Sequence, residues 1–285
     1  LEIAGEGLAF PEGPVVVSDG SVIAVEIAAS RSTRSRNDCE EIICEIGGGP
    51  NGAAIRPDGA LLVCNNDGMS ADRMESLSGL GSGGRIERID LATGKAKRVY
   101  DCCNDIRLEG PNDLVFDALV NLWFTDLGKT HSGIRTASGL FCCETNGRSI
   151  CAVDRHAVSY NAVGLSADDS TVYVADTHQA RLYRCAKKPK AQRPRWVATS
   201  PGHVSYDSLA VTAAGNTCAG TLRAGGITTI TPFGETRFRP FDDRYVTNIA
   251  FGGADMLDVW LTFSTRGLLV KARCEEPGLR LHFNG

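Results

Sequence analysis

Six segments of this chain align on one another without gaps through their first half. They are PEGPVVVSDGSVIAVEI from Pro11, PNGAAIRPDGALLVCNN from Pro50, PNDLVFDALVNLWFTDL from Pro111, YNAVGLSADDSTVYVAD from Tyr160, YDSLAVTAAGNTCAGTL from Tyr206 and TNIAFGGADMLDVWLTF from Thr247. In each, the second residue is polar (Glu12, Asn51, Asn112, Asn161, Asp207, Asn248) and opens a short apolar run. Seven residues later comes a turn position, and then a second β-rich run such as NLWFTD or STVYVAD. The intervals between the opening polar residues are 39, 61, 49, 46 and 41, and the step through the termini is 49, a mean of about 47. That spacing holds four short strands, the content of one propeller blade. The pattern therefore predicts an all-β fold: a six-bladed β-propeller with four-stranded antiparallel blades, residues 1–285 forming one domain. A two-sheet sandwich would not call for six equivalent polar residues in register.

The turns support this reading. The chain has 32 glycines, which suit many tight turns. Asp19-Gly20 and Asp58-Gly59 stand between apolar runs, the strongest short hairpin signal, because glycine accepts a positive φ cheaply. Leu119-Val120 and Asp168-Asp169 break that pattern. A valine is strained at positive φ, so these two turns are expected to adopt another geometry. The long second interval carries a Gly/Ser-rich stretch over 70–85, read as an excursion over one face.

Composition narrows the function. Thirty Lys and Arg against 34 Asp and Glu give a net charge of −4, which argues against a general nucleic-acid binder. No run of about 18 apolar residues is present, so no membrane-spanning helix is expected. Residues 1–10 have no basic, apolar-run character of a secretory leader. Eleven cysteines, an odd number with no C-x-x-C, argue against a zinc knuckle and for mostly reduced thiols, hence a cytoplasmic setting. Serine-hydrolase, P-loop and zincin motifs are all missing.

In a propeller, equivalent positions form a ring around one axis. The ring here reads Glu12, Asn51, Asn112, Asn161, Asp207, Asn248. All six side chains bear oxygen and two are carboxylates. Such a set suits one hard divalent cation, Ca²⁺ foremost, with Mg²⁺, Mn²⁺ and Zn²⁺ also admitted. Asn and Asp at strand starts often bond only local backbone. Six in register, converging on one axis, argue against that reading, because a buried unsatisfied cluster is costly. Arg223 and Lys129, at strand ends, are candidates to meet an anionic or hydroxylated substrate at the channel mouth. Loops 66–85 and 127–140 are expected to wall the pocket. Asp126 and Asp176, closing the second strands, are expected to brace blades.

Several of these segments carry a resemblance. PEGP, EGPNDLVFD with NLWFTD, GLSADDSTVYVADT with RLYR, YDSLAV, GGIT, TNIAFGGADM and PGLRL occur in an order that resembles the gluconolactonase/senescence-marker-protein (regucalcin-like) family, over roughly residues 8–283. The resemblance implies a six-bladed propeller with one catalytic divalent metal, and a lactonase acting on sugar or other lactones. It implies metal ligation by Glu12, Asn161 and Asp207, with Asn112 at a position that binds metal or substrate. Asn51 and Asn248 follow as weaker substrate contacts. Asp207 is the candidate catalytic residue, more securely a ligand than a base. Where the family usually has glycine after the metal-binding asparagine, this chain has Ala162; where it often has Trp after PEGP, Val15 to Val17 stand. The contrasting readings are a non-catalytic calcium-binding or scaffold propeller, and a propeller hydrolase for another ester. The expected partner is a small lactone, with no nucleic acid or membrane, and the oligomeric state is left open.

Overall fold

The computed structural model describes residues 1–37, 39–70, 75–80 and 83–283. No helix occurs among them. Six four-stranded antiparallel sheets follow one another along the chain. Their innermost strands are Pro11–Val16, Pro50–Ile55, Pro111–Phe116, Tyr160–Leu165, Ser205–Val211 and Val246–Gly252. Each packs against the innermost strands of the blades before and after it, and the last packs against the first, so the ring closes. The architecture is a six-bladed β-propeller.

Closure also uses the chain ends. The sixth blade takes its three inner strands from Val246–Gly252, Asp258–Phe263 and Leu268–Arg273. Its outer strand is Glu2–Gly5, paired to Leu268–Arg273 through Glu2 opposite Lys271 and Ile3 opposite Val270. The core is divided into wedges between blades rather than gathered in one centre. One wedge joins Leu62, Cys64, Leu114, Phe124 and Phe141; another joins Val115, Trp123, Val163, Val172 and Val174. Phe124 and Phe141 stack with centroids 5.1 Å apart.

One expectation is corrected here. In all six blades the turn after the innermost strand has the same form, including the two thought to differ. Gly20, Gly59, Val120, Asp169, Gly215 and Met256 all have positive φ, Val120 at 65°. Each donates its N–H to the carbonyl three residues back, as Val120 does to Asp117 at 3.0 Å. Two features offset the strain at Val120. Its side chain packs on the wedge beneath, and Asp117 Oδ1 accepts the N–H groups of Leu119 and Asn121, both at 2.9 Å. The blade repeat thus outweighs the local preference of one residue.

Candidate metal centre

Every innermost strand breaks register with its neighbour within one residue of the same place. The shift falls between Glu12 and Val15, Pro50 and Ala53, Pro111 and Leu114, Tyr160 and Val163, Tyr206 and Leu209, and Val246 and Ile249. The six opening polar residues of the repeat sit at or inside these bulges. A bulge lifts a strand off its ladder and re-aims a side chain. Here it occurs where six strands converge on the axis. The convergence is tight: Gly13 has φ 48°, and a Cβ on it would lie 2.4 Å from Asn51 O.

The strand starts are also tied down. Glu26, Asn65, Asp126 and Asp176 occupy matching positions near the ends of the second strands, and each accepts backbone N–H groups just before the polar ring. Ala9 donates to Glu26 at 2.6 Å, Gly49 to Asn65 at 2.9 Å, Gly110 to Asp126 at 2.8 Å and Ser159 to Asp176 at 2.9 Å. Asp126 and Asp176 brace their blades as their placement suggested. Glu26 and Asn65 do the same and were not singled out from sequence, although they stand at the same offset from the ring as Asp126.

Glu12, Asn51, Asn112, Asn161 and Asp207 line one funnel at one end of the channel. Asn248 faces the cavity at the opposite end, and its amide nitrogen donates to Glu12 Oε2. Glu12, Asn161 and Asp207 are all buried. Burial, then the charge of Asp207, holds the Glu12 carboxyl well above the usual range, although Asn248 and Thr247 favour its ionised form. Burial also pushes Asp207 up to about 7, with the Asn161 amide opposing and Asp113 adding repulsion. Asp113, next to Asn112, is pushed up to about 6 by burial, and it accepts from Ser208 Oγ at 2.9 Å.

Asn161 is the strongest sign of a cation site. Its Oδ1 is buried and has no hydrogen-bond partner among the described residues. Two buried carboxylates with raised proton affinity, Glu12 and Asp207, line the same funnel, and the Asn161 side chain hydrogen-bonds Asp207. A divalent cation would satisfy all three groups at once, so the donor set fits a hard metal ion. No cluster of three or more His, Cys, Asp or Glu suited to a metal occurs among the described residues. The ring depends on amide oxygens as well as carboxylates.

The remaining candidates sit further out. Arg223 is exposed, has φ 72°, and its Nη1 lies 2.7 Å from His203 Nε2; it does not line the funnel. Lys129 is buried, and its Nζ donates to Ser78 Oγ beneath the 70–85 excursion. Of that excursion, residues 71–74 and 81–82 lie outside the described residues. Asn66, Met69 and Ser76 from the one loop, and Leu127, Thr130 and Arg135 from the other, do wall the funnel. His178 lines it too, and burial lowers its proton affinity. Nothing in the sequence distinguished this histidine from the other four. All eleven cysteines are free thiols.

A propeller whose channel holds a closed ring of carboxylates and amides is the class that fold and site define. Residues 10–265 match the SMP-30/gluconolactonase/LRE-like region family, and the chain belongs to that family. A gluconolactonase from Xanthomonas campestris superposes with TM-score 0.77 at 18% identity, covering 97% of this chain and 88% of that one. A calcium-binding protein, regucalcin, from Agrobacterium tumefaciens superposes with TM-score 0.75 at 16% identity, covering 99% and 100%. Luciferin-regenerating enzyme gives TM-score 0.72 at 15% identity, covering 96% and 95%. No functionally curated protein matches the chain.

Proposed function

We propose that this protein is a metal-dependent hydrolase that opens a lactone, with residues 1–285 acting as a single propeller domain. The observation that carries the reading is the convergence of Glu12, Asn161 and Asp207, from three separate blades, on one funnel, with the buried Asn161 oxygen left unpartnered among the described residues. Family membership and the neighbouring gluconolactonase support it, and the regucalcin neighbour supports calcium as the ion.

Glu12, Asn161 and Asp207 would hold the cation, with Asn112 beside them. When bound, the cation polarises an ester carbonyl and acidifies water. The chain's own part is positional. Asn248 fixes Glu12 through its amide, and the blade braces fix the strand starts. Asn51 and Asn112, on the funnel floor, orient the substrate by hydrogen bonds, and Arg223 meets it only at the outer rim. Asp207 accepts the proton of the attacking water and returns it to the departing ring oxygen, so the product is one hydroxy acid. Beside a cation Asp207 is ionised at neutral pH, which makes it a weak base and a secure ligand.

Titration of released acid over a panel of lactones, with and without chelator, tests this. Ring opening should stop on chelation and return with Ca²⁺. Glu12→Gln and Asp207→Asn should each lower kcat/KM by about 100-fold or more. Tight calcium binding with no ester opened would instead support a calcium-binding propeller.

A further inference from the structure

The wall above the polar ring has a chemistry of its own. Phe10, Ile27, Met69, Leu127, Leu222 and Tyr245 line the funnel on its mouth side, and five of the six blades contribute to them. We propose that the substrate is a lactone bearing an alkyl or aryl substituent rather than a polyhydroxylated sugar lactone; this rests on the lactone-hydrolase reading above and names its substrate class.

Phe10 is the first observation. It stands two residues before Glu12, where the other blades have Gly49, Gly110, Ser159, Ser205 and Val246. Only the first blade places an aromatic ring there. Phe10 has φ 57°, a conformation that bulky residues rarely accept and that clusters at functional sites. The surrounding structure enforces it: the Ala9 N–H is held by Glu26 at 2.6 Å, and the Ile27 N–H donates to Phe10 O at 3.2 Å. The result is a large ring at the mouth, 6.3 Å from the Tyr245 ring and tilted to it by 54°. Tyr245 is itself backed by the Arg244 guanidinium at 5.7 Å.

The second observation is that several of the wall's polar groups are already engaged. Arg135 spends its donors on Val158 O at 3.0 Å, Thr130 Oγ1 at 2.8 Å and Leu127 O at 2.5 Å. Asn66 Oδ1 accepts the Gly68 N–H at 2.9 Å. Above the polar ring, His178, Ser76 and Thr177 remain to receive a ligand's polar groups. A sugar lactone would press several hydroxyls against apolar side chains and leave them unpaired, which is costly. An alkyl or aryl group would instead displace water from Phe10, Tyr245, Leu222 and Met69, which is favourable.

The test uses the Ca²⁺-loaded chain and two series. The first is γ-lactones with side chains from methyl to heptyl, set beside glucono-δ-lactone, read as kcat/KM. The second is the matching 2-alkyltetrahydrofurans, which cannot be hydrolysed, read as Kd by calorimetry. Both kcat/KM and ether affinity should rise about three- to fourfold per added methylene until the funnel is filled. Glucono-δ-lactone should fall at least tenfold below the best alkyl lactone. Phe10→Ser and Tyr245→Ser should flatten the chain-length dependence while leaving calcium affinity unchanged. Equal or better turnover of glucono-δ-lactone, or ether binding indifferent to chain length, overturns the proposal. Ether binding that grows with chain length while no lactone is opened overturns the lactonase reading and supports the funnel's preference for an apolar group.

Discussion

Glu12 and Asp207 are buried carboxyls whose proton affinities are raised by burial, with the charge of Asp207 adding to Glu12 and that of Asp113 to Asp207. A carboxyl whose folded-state pKa exceeds its unfolded value stays protonated in the fold while the unfolded chain ionises. The stability it contributes is full below about pH 4 and is lost as pH rises towards the folded value, about 7 for Asp207. The metal-free protein should therefore lose stability between about pH 4 and 7. A bound cation reverses the sign, because it requires both groups ionised. Thermal melts in chelator should show Tm falling across that window, and Asp207→Asn should recover on the order of 3 kcal/mol at pH 7.5. A melt that is flat with pH would refute this. A second residue-level expectation concerns Cys151, which faces Cys142 across two strands of the third blade. A hydrogen bond from the Cys142 thiol lowers Cys151 to about 7. Alkylation of Cys151, followed by mass spectrometry, should show a midpoint near that pH, and Cys142→Ala should move it upward.

The recurring element is a pair of strands carrying two polar residues, one that bulges into the channel and one that ties down the strand start. Asp126 shows what the second contributes. Its carboxylate accepts N–H groups from Glu109, Gly110 and Gly128, all at 2.8 Å, beneath Asn112. Asp126→Ala would leave three donors without that partner, at a cost of about 3 kcal/mol. Denaturant unfolding should show that loss, and calcium affinity should fall as the strand start loosens. An unchanged midpoint would mean that the bulge is held from elsewhere. Much of this element was legible in the sequence. The six openings and their turns stand in register, and Asp126 and Asp176 were readable as braces. Glu26 and Asn65 share the offset of Asp126 but not its residue type, so their pattern is weaker in the sequence. Val120 was misjudged for a related reason: its own preference opposes the turn, while Asp117 and the wedge beneath enforce it.

The whole molecule is a ring, and a ring fails where it is joined. The join is the strand Glu2–Gly5, which covers the edge of Leu268–Arg273. The far end of the channel is sealed by the C-terminal segment: Leu279 N–H donates to Val211 O at 2.8 Å, and the Phe283 ring sits 6.0 Å from Phe116. Removing residues 1–5 should expose an unpaired strand edge. Size-exclusion chromatography should then show higher oligomers, and Tm should drop by several degrees; a monomer with unchanged Tm would refute the join. The sequence by itself determined the blade count, the turn positions and the ring of oxygen donors, because each is a periodic pattern with local physical causes. Only the tertiary structure decided which ring members face the funnel, that Asn248 serves Glu12 from the far side, and that Lys129 is buried. It alone set Phe10 at the mouth. These depend on how separate blades approach the axis, and no single segment of the chain encodes that distance.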